Sequence, residues 1–355
     1  MQIPDKLKLL SKISSDGNFW EVLLCENTYL QRKEAVKLIP IKWQNEKEII
    51  EELNNNLFES SVLEYLRKSQ YIVDIYDAEF LKAWFSIRME FLENGSIQNL
   101  LNKSIFIETK QVIKISECVL HGLEHAHTKQ ILHLDIKPWN ILIKNENIYK
   151  LSDFGLANIK NKEWLSNFKK IYTAHYPPEK LSWQKNEANE QSDIYMFGVT
   201  LYRLLNWDSY FSNQLEDLKD KKILEKSIIS WKFPSRDKYL PHIHSKLKKI
   251  INKCLNIDLE KRYKNVREIR NDFWKIKVQY NWVLKQITET SHYWECYYNQ
   301  NILLEIFTEK RNDLWEIILK KYTKKSKLNI TKHCHKNLKQ SDYYKKLNLI
   351  FEEYF

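Results

Sequence analysis

Short apolar runs alternate with turn material from Leu7 to Pro40. Within that stretch FWEVLLC (19–25) and EAVKLI (34–39) predict strands, and SSDGN and ENTYLQRK predict the turns beside them. The next segment, NEKEIIEELNNNLFESSVLEYLRK (45–68), is rich in Glu and Leu, with apolar Val62, Leu63 and Leu66 at helical spacing, and predicts a helix. YIVDIYDAEF (71–80) and AWFSIRMEFL (83–92) return to strand character, the second ending at the turn ENGS. From Ser96 the period becomes helical. TKQVIKISECVLHGLEHAHTK (109–129) places Val112, Ile115, Val119, Leu123 and His127 on one stripe, and SDIYMFGVTLYRLL and HSKLKKIINKCLNI continue the pattern. Beyond Lys275, NILLEIFTEKRNDLWEIILKKY (301–322) and DYYKKLNLIFEEYF (342–355) predict aromatic, lysine-rich helices. Tyr343, Leu347, Ile350 and Tyr354 share one face of the last. Packing onto the preceding domain is the expected use of this extension, with a partner site as the alternative. No internal repeat or low-complexity linker interrupts the chain.

Composition adds little to that picture. With 355 residues, 43% of them hydrophobic and 29% charged, the chain has material for one large two-part domain and an extension. No run approaches the ~18 consecutive apolar residues of a membrane span, and MQIPDKLKLL lacks a signal-peptide core. A cytoplasmic protein is expected, without a membrane partner. The five cysteines are scattered and never form a C-x-x-C pair, so neither a disulfide framework nor a zinc site is suggested. The adjacent His333, Cys334 and His335 do not face one site on a helix and have no second ligand pair nearby. A net charge of +11 raises the question of an anionic partner. Acidic residues interleave with the lysines and no nucleic-acid motif appears, so a solvated mixed surface is the expectation, with no nucleic acid as partner.

Chemistry concentrates in ILHLDIKPWN (131–140) and LSDFG (151–155). A carboxylate inside an apolar run costs several kcal/mol unless it is paired or coordinated. Between Asn140 and Asp153 lie ILI, the polar turn KNEN and IYKL, which predict a β-hairpin whose open ends carry those two residues side by side. An amide oxygen and a carboxylate brought together there are hard ligands suited to Mg²⁺, which keeps some water and is completed by phosphates. Asp135 can accept a hydroxyl proton, and Lys137, two residues on, can neutralise a transferring phosphoryl group.

HLDIKPWN resembles the catalytic loop of protein kinases, DFG is similar to their metal-binding triplet, and Asp-x-Lys-x-x-Asn matches the serine/threonine-directed variant. The resemblance runs from about Leu7 to Trp274. It implies an α+β fold of two lobes, a small mostly-β N-lobe with its hinge (1–92) and a larger mostly-helical C-lobe (93–275), followed by a helical extension (276–355). It further implies ATP and Mg²⁺ as cofactors and proteins as substrates. Asp135, Lys137, Lys37 and Glu59 take the catalytic roles, and Asn140 and Asp153 hold the metal. Lys37 of EAVKLI grips the phosphates and Glu59 is its helix partner, with Glu51, Glu52 and Glu64 as competitors. Gly17, Val22, Ala35, Met89, Glu90, Leu92 and Leu142 complete the nucleotide-binding set. Glu179 is expected to pair with Arg262, and Asp193 to brace the catalytic loop. The chain's five glycines, at 17, 95, 122, 155 and 198, all fall where the family commonly places one.

Two features depart from the family pattern. SDGNFWEV keeps only Gly17 and Val22 of the phosphate-covering loop, with Ser15 and Trp20 at the outer glycine places, which stiffens the loop. Leu134 stands where most members carry an arginine that receives an activation-loop phosphate, so phosphorylation at Ser166, Tyr172 or Thr173 is not expected to gate activity. The alternatives are a pseudokinase acting as a binding scaffold and a small-molecule phosphotransferase of the aminoglycoside or choline kinase type.

Overall fold

A computed structural model of the chain describes residues 6–15, 20–40, 69–81, 84–103, 106–154, 173–181, 188–218, 220–299, 302–324 and 326–355. They fall into two compact units. One is drawn from within Met1–Gln98, Cys118–Phe168 and Ala188–Asp193, the other from within Asn99–Glu117, Lys169–Glu187 and Ile194–Phe355.

The first unit opens with an antiparallel five-stranded sheet: β1 (Leu7–Ser15), β2 (Glu21–Asn27), β3 (Arg32–Pro40), β4 (Ile75–Leu81) and β5 (Trp84–Glu90), in the order β1-β2-β3-β5-β4. Strand alternation sends Leu23 and Cys25 of β2, Val36 and Leu38 of β3 and Leu7 of β1 into one buried cluster. Each such side chain contributes roughly 1.5–3 kcal/mol on burial. The opposite face of the same strands carries Val22, Leu24, Ala35 and Lys37, with Val22 opposite Lys37 and Leu24 opposite Ala35. The predicted helix over 45–68 lies outside the described residues.

After a short helix α1 (Ile97–Asn102) comes the 20-residue helix α2 (Thr109–Thr128), whose Val112, Ile115, Val119 and Leu123 are at most 2% exposed. Gly122 on this helix has a specific use. A Cβ there would sit 3.1 Å from both Leu151 Cδ1 and the Tyr71 carbonyl oxygen. The bare backbone lets the helix press against the chain where Leu151 N–H donates to Tyr71 O at 2.8 Å and Val73 N–H to Leu151 O at 2.9 Å. The hairpin β6 (Ile141–Asn145) and β7 (Ile148–Leu151) forms as the sequence predicts, with Ile141 opposite Leu151 and Leu142 opposite Lys150.

The second unit holds most of α1, the first part of α2, the helices α3 (Pro178–Leu181), most of α4 (Glu190–Asn206), α5 (Asp208–Glu216), α6 (Lys221–Ile229), α7 (Ser245–Cys254) and α8 (Val266–Trp274). Side chains start three of them: Asp220, His244 and Asn265 accept from backbone N–H groups of the first turns.

The extension corrects the sequence reading. In place of two helices it is an antiparallel sheet followed by one helix: β8 (Trp282–Ile287), β9 (Ser291–Asn299), β10 (Ile302–Arg311), β11 (Leu314–Tyr322), β12 (Lys327–Asn329), β13 (His335–Leu338) and α9 (Gln340–Glu353). The strand order is β12-β11-β10-β9-β8, with β13 also on β11. Leu303, Ile306 and Phe307 fit a helical stripe, yet burial follows a period of two: Leu304, Ile306 and Thr308 on β10, then Trp315, Ile317 and Leu319 on β11. The decisive signal is Asn312-Asp313, both with positive φ (47° and 63°), which makes the two-residue turn closing Arg311 against Leu314. Only α9 matches expectation, burying Tyr343, Leu347 and Ile350, while Tyr354 falls just past its last turn.

Aromatic packing ties the extension to the rest of its unit. The fully buried Trp294 donates its indole N–H to His242 Nδ1 at 3.3 Å, and Phe351 meets Trp282 and Trp294 at ring separations of 5.3 and 5.2 Å. Glu352 accepts from both the backbone N–H (2.6 Å) and the hydroxyl (2.9 Å) of Ser245 at the start of α7.

Candidate active site

The segment 131–140 owes its shape to one buried carboxylate. Asp193, fully buried in the first turn of α4, accepts the backbone N–H of His133 at 2.9 Å, that of Leu134 at 2.7 Å, and the Nε2–H of His127 at 2.8 Å. Leu134 is held at φ 58°, a left-handed conformation that costs a branched residue about 1–2 kcal/mol and persists because these bonds oppose it. His133 is fully buried; its Nδ1 accepts from the Asp135 backbone N–H at 3.2 Å while Nε2 donates to the Ser152 carbonyl at 3.1 Å. That tautomer is neutral, and burial pushes its pKa below the usual imidazole range despite the nearby Asp193. Its ring lies against Phe154 at 4.4 Å.

Asp135 is thereby presented with a fixed orientation. Its Oδ2 takes the Lys137 ammonium at 2.5 Å and the Asn140 amide at 2.7 Å, and the same amide nitrogen also donates to the Asp135 carbonyl at 2.8 Å. Both of these side-chain bonds fall on Oδ2 and none on Oδ1. Burial raises the Asp135 pKa, outweighing the charge of Lys137, so it is a stronger base than a free aspartate.

The hairpin joins this loop to the second aspartate. Ser152 N–H donates to Asn140 O at 2.9 Å across the open end of β6 and β7, which sets Asn140 and Asp153 at neighbouring chain ends. Asp153 has φ 63° and bonds Lys37 Nζ through Oδ1 at 2.7 Å. Burial opposes ionisation there, but the Lys37 charge and hydrogen bond hold the carboxyl below its ordinary range. Its side chain keeps 32% of its surface open. The donor set fits Mg²⁺: Asn140 spends its amide hydrogens on Asp135, leaving its amide oxygen, and Asp153 retains Oδ2. Two hard oxygens suffice for an ion that water and phosphates complete.

Of the other expected nucleotide contacts, Val22 and Ala35 share the sheet face of Lys37, and Met89 lies opposite Ala35. Glu90 gives its N–H to Asp74 O at 2.8 Å, and Leu92 accepts from Gly95 N–H at 3.1 Å. Leu142 bridges to Ser96. Glu59 and Gly17 lie outside the described residues. The sequence reading missed a charged clasp: buried Lys150 donates to Glu90 at 2.5 Å and to Asp74 at 3.1 Å, and Lys144 grips the other Glu90 oxygen at 3.1 Å. These lysines hold Glu90's carboxyl below its ordinary range although burial works the other way. The available signal was a lysine inside the apolar strand IYKL, facing a polar partner by alternation.

In the second unit Arg262 grips Glu179 with two hydrogen bonds, of 2.9 and 3.1 Å, and gives Nε–H to Asn256 O at 2.7 Å; both partners are buried.

A sheet bearing Lys37, with a hairpin that carries an amide and a carboxylate beside a lysine-braced aspartate, defines a domain of protein kinase type. Residues 10–275 match the protein kinase domain, and the chain belongs to that family. Among curated relatives, Serine/threonine-protein kinase PrkC of Bacillus subtilis is 27% identical over 263 residues, 74% of this chain and 39% of that protein. Probable serine/threonine-protein kinase PknB of Lactococcus lactis is 26% identical over 271 residues, 76% of this chain and 41% of that one. The chain thus spans about two fifths of the length of these relatives.

Proposed function

We propose that the chain is an ATP- and Mg²⁺-dependent serine/threonine protein kinase acting in the cytoplasm, with leucine in place of the usual arginine beside its catalytic aspartate and a reduced glycine loop. Asp135 orients the attacking hydroxyl and accepts its proton through Oδ1. Lys137 neutralises charge on the transferring γ-phosphoryl group, and Lys37, with Glu59 as partner, fixes the ATP phosphates. Asn140 and Asp153 would hold Mg²⁺, which supplies charge neutralisation between the phosphates. Ala35, Val22, Met89, Leu142 and the backbone of Glu90 and Leu92 receive the adenine, with Gly17 over the phosphates. A loose phosphoryl-transfer transition state asks for orientation more than strong basicity, which suits an aspartate.

The observation that carries this reading is the shared hydrogen-bond set of Asp135, Lys137 and Asn140, joined through the hairpin end to the Lys37-paired Asp153. The relatives' names support serine and threonine as acceptors. A scaffold has no chemical need for this ensemble. Transfer of label from γ-labelled ATP tests it: phosphoserine and phosphothreonine are expected on proteins of a cell extract, with no transfer to small alcohols and none by Asp135→Asn. Transfer to alcohols alone, or none by the wild type, would refute it.

A further inference from the structure

The net charge of the chain is concentrated in one place. Residues 320–346 hold ten lysines against a single acid, Asp342, which accounts for +9 of the total +11 and leaves +2 for everything else. The stretch is one edge of the extension in space as well as in sequence. β12 lies antiparallel on β11, with Lys321 opposite Leu328 and Tyr322 opposite Lys327, and β13 pairs with the same strand. Trp315 of β11 stacks on Tyr343 at 4.3 Å and donates to Gln340 at 2.6 Å, which sets the start of α9 against that strand.

Lysines elsewhere in the chain often end on carboxylates; here most do not. Lys332 reaches Glu353 and Lys336 reaches Glu316, while the other seven described lysines of the stretch pair with no carboxylate among the described residues. Lys324, Lys327, Lys345 and Lys346 are exposed. Large aliphatic side chains stand bare beside them, Leu328 at 59% and Leu349 at 63% exposure.

We infer that this edge is a docking surface for an anionic lipid bilayer, bound peripherally. Two features select lipid over nucleic acid. No arginine follows Arg311, so the surface has point charges and no planar forks for reading bases, and its barest apolar groups are the leucines at 328 and 349, which suit acyl chains and do not stack on bases, with the aromatic Tyr344 less open at 39%. Each exposed lysine near such a surface tightens binding about fivefold, and the effect fades with salt.

Co-sedimentation of the full chain with vesicles tests this without reading phosphate transfer, so its result is independent of the proposed activity. Binding is expected to phosphatidylcholine vesicles containing phosphatidylglycerol and not to phosphatidylcholine alone, falling as salt rises. The combined variant Lys324→Glu, Lys327→Glu, Lys345→Glu, Lys346→Glu should weaken it by roughly several hundredfold. Leu328→Asn, which removes the apolar group without changing charge, should weaken vesicle binding while leaving any retention on duplex DNA unchanged. Equal sedimentation with both vesicle types, an unaffected combined variant, or binding to duplex DNA without binding to anionic vesicles would each overturn the inference.

Discussion

The β6–β7 hairpin and the C-terminal sheet are both antiparallel β-structure, but they are held by different forces. Around β6 and β7 the specific contacts are polar: Asp193 on two backbone amides, Lys137 and Asn140 on Asp135, Lys150 on Glu90. Such networks fix side-chain positions and tolerate local strain at Leu134 and Asp153. In the extension the contacts are mostly rings and aliphatics, with Trp294, Trp315, Tyr343 and Phe351 at its centre. The first region is built to hold charges in place, the second to bury area.

Substitutions should therefore separate the two regions. The largest effect is expected from Asp135→Asn, which should lower kcat/KM by about 10²–10⁴-fold in a phosphate-transfer assay while the melting temperature moves little. Trp294→Ala should instead cost about 3–5 kcal/mol in thermal or denaturant unfolding, since a fully buried indole leaves a cavity and an unpaired His242. Gly198→Ala should cost about 1–3 kcal/mol, because its Cβ would stand 2.7 Å from Cys254 Cβ. A pH profile gives a subtler effect. Asp135 must be ionised to accept a proton, and its pKa is raised by burial, so activity should fall with decreasing pH above the range of an ordinary aspartate. Asp153, held below that range by Lys37, should not contribute to that fall. Smallest of all, phosphatase treatment of active protein should leave its rate unchanged, since Leu134 cannot receive a phosphate; Thr173 is itself only 1% exposed.

The same contrast explains what was legible in the sequence. Asp135, Lys137, Asn140 and Asp153 are each an unusual choice for their setting, and the chemistry that demands them also fixes their spacing. Strands β2 to β5 were readable as short apolar runs set off by turn residues, and helices α2, α4 and α7 because a helical period dominates each. The extension was not, because β10 and β11 carry apolar residues on both faces, so periods of two and 3.6 fit the same letters. Asn312-Asp313 would have decided between them, since a two-residue turn with positive φ at both positions closes a hairpin and ends a helix. The Glu90 clasp escaped because an ion pair between residues 60 apart leaves no local trace. The basic edge at 320–346 was hidden by averaging charge over the whole chain.

The division of labour between the two aspartates is the central claim, and calorimetric titration of ATP with and without Mg²⁺ onto the wild type, Asp135→Asn and Asp153→Asn tests it most directly. Magnesium should tighten ATP binding to the wild type and equally to Asp135→Asn, and that gain should vanish in Asp153→Asn. A gain that survives in Asp153→Asn, or one that is lost in Asp135→Asn instead, would contradict the assignment.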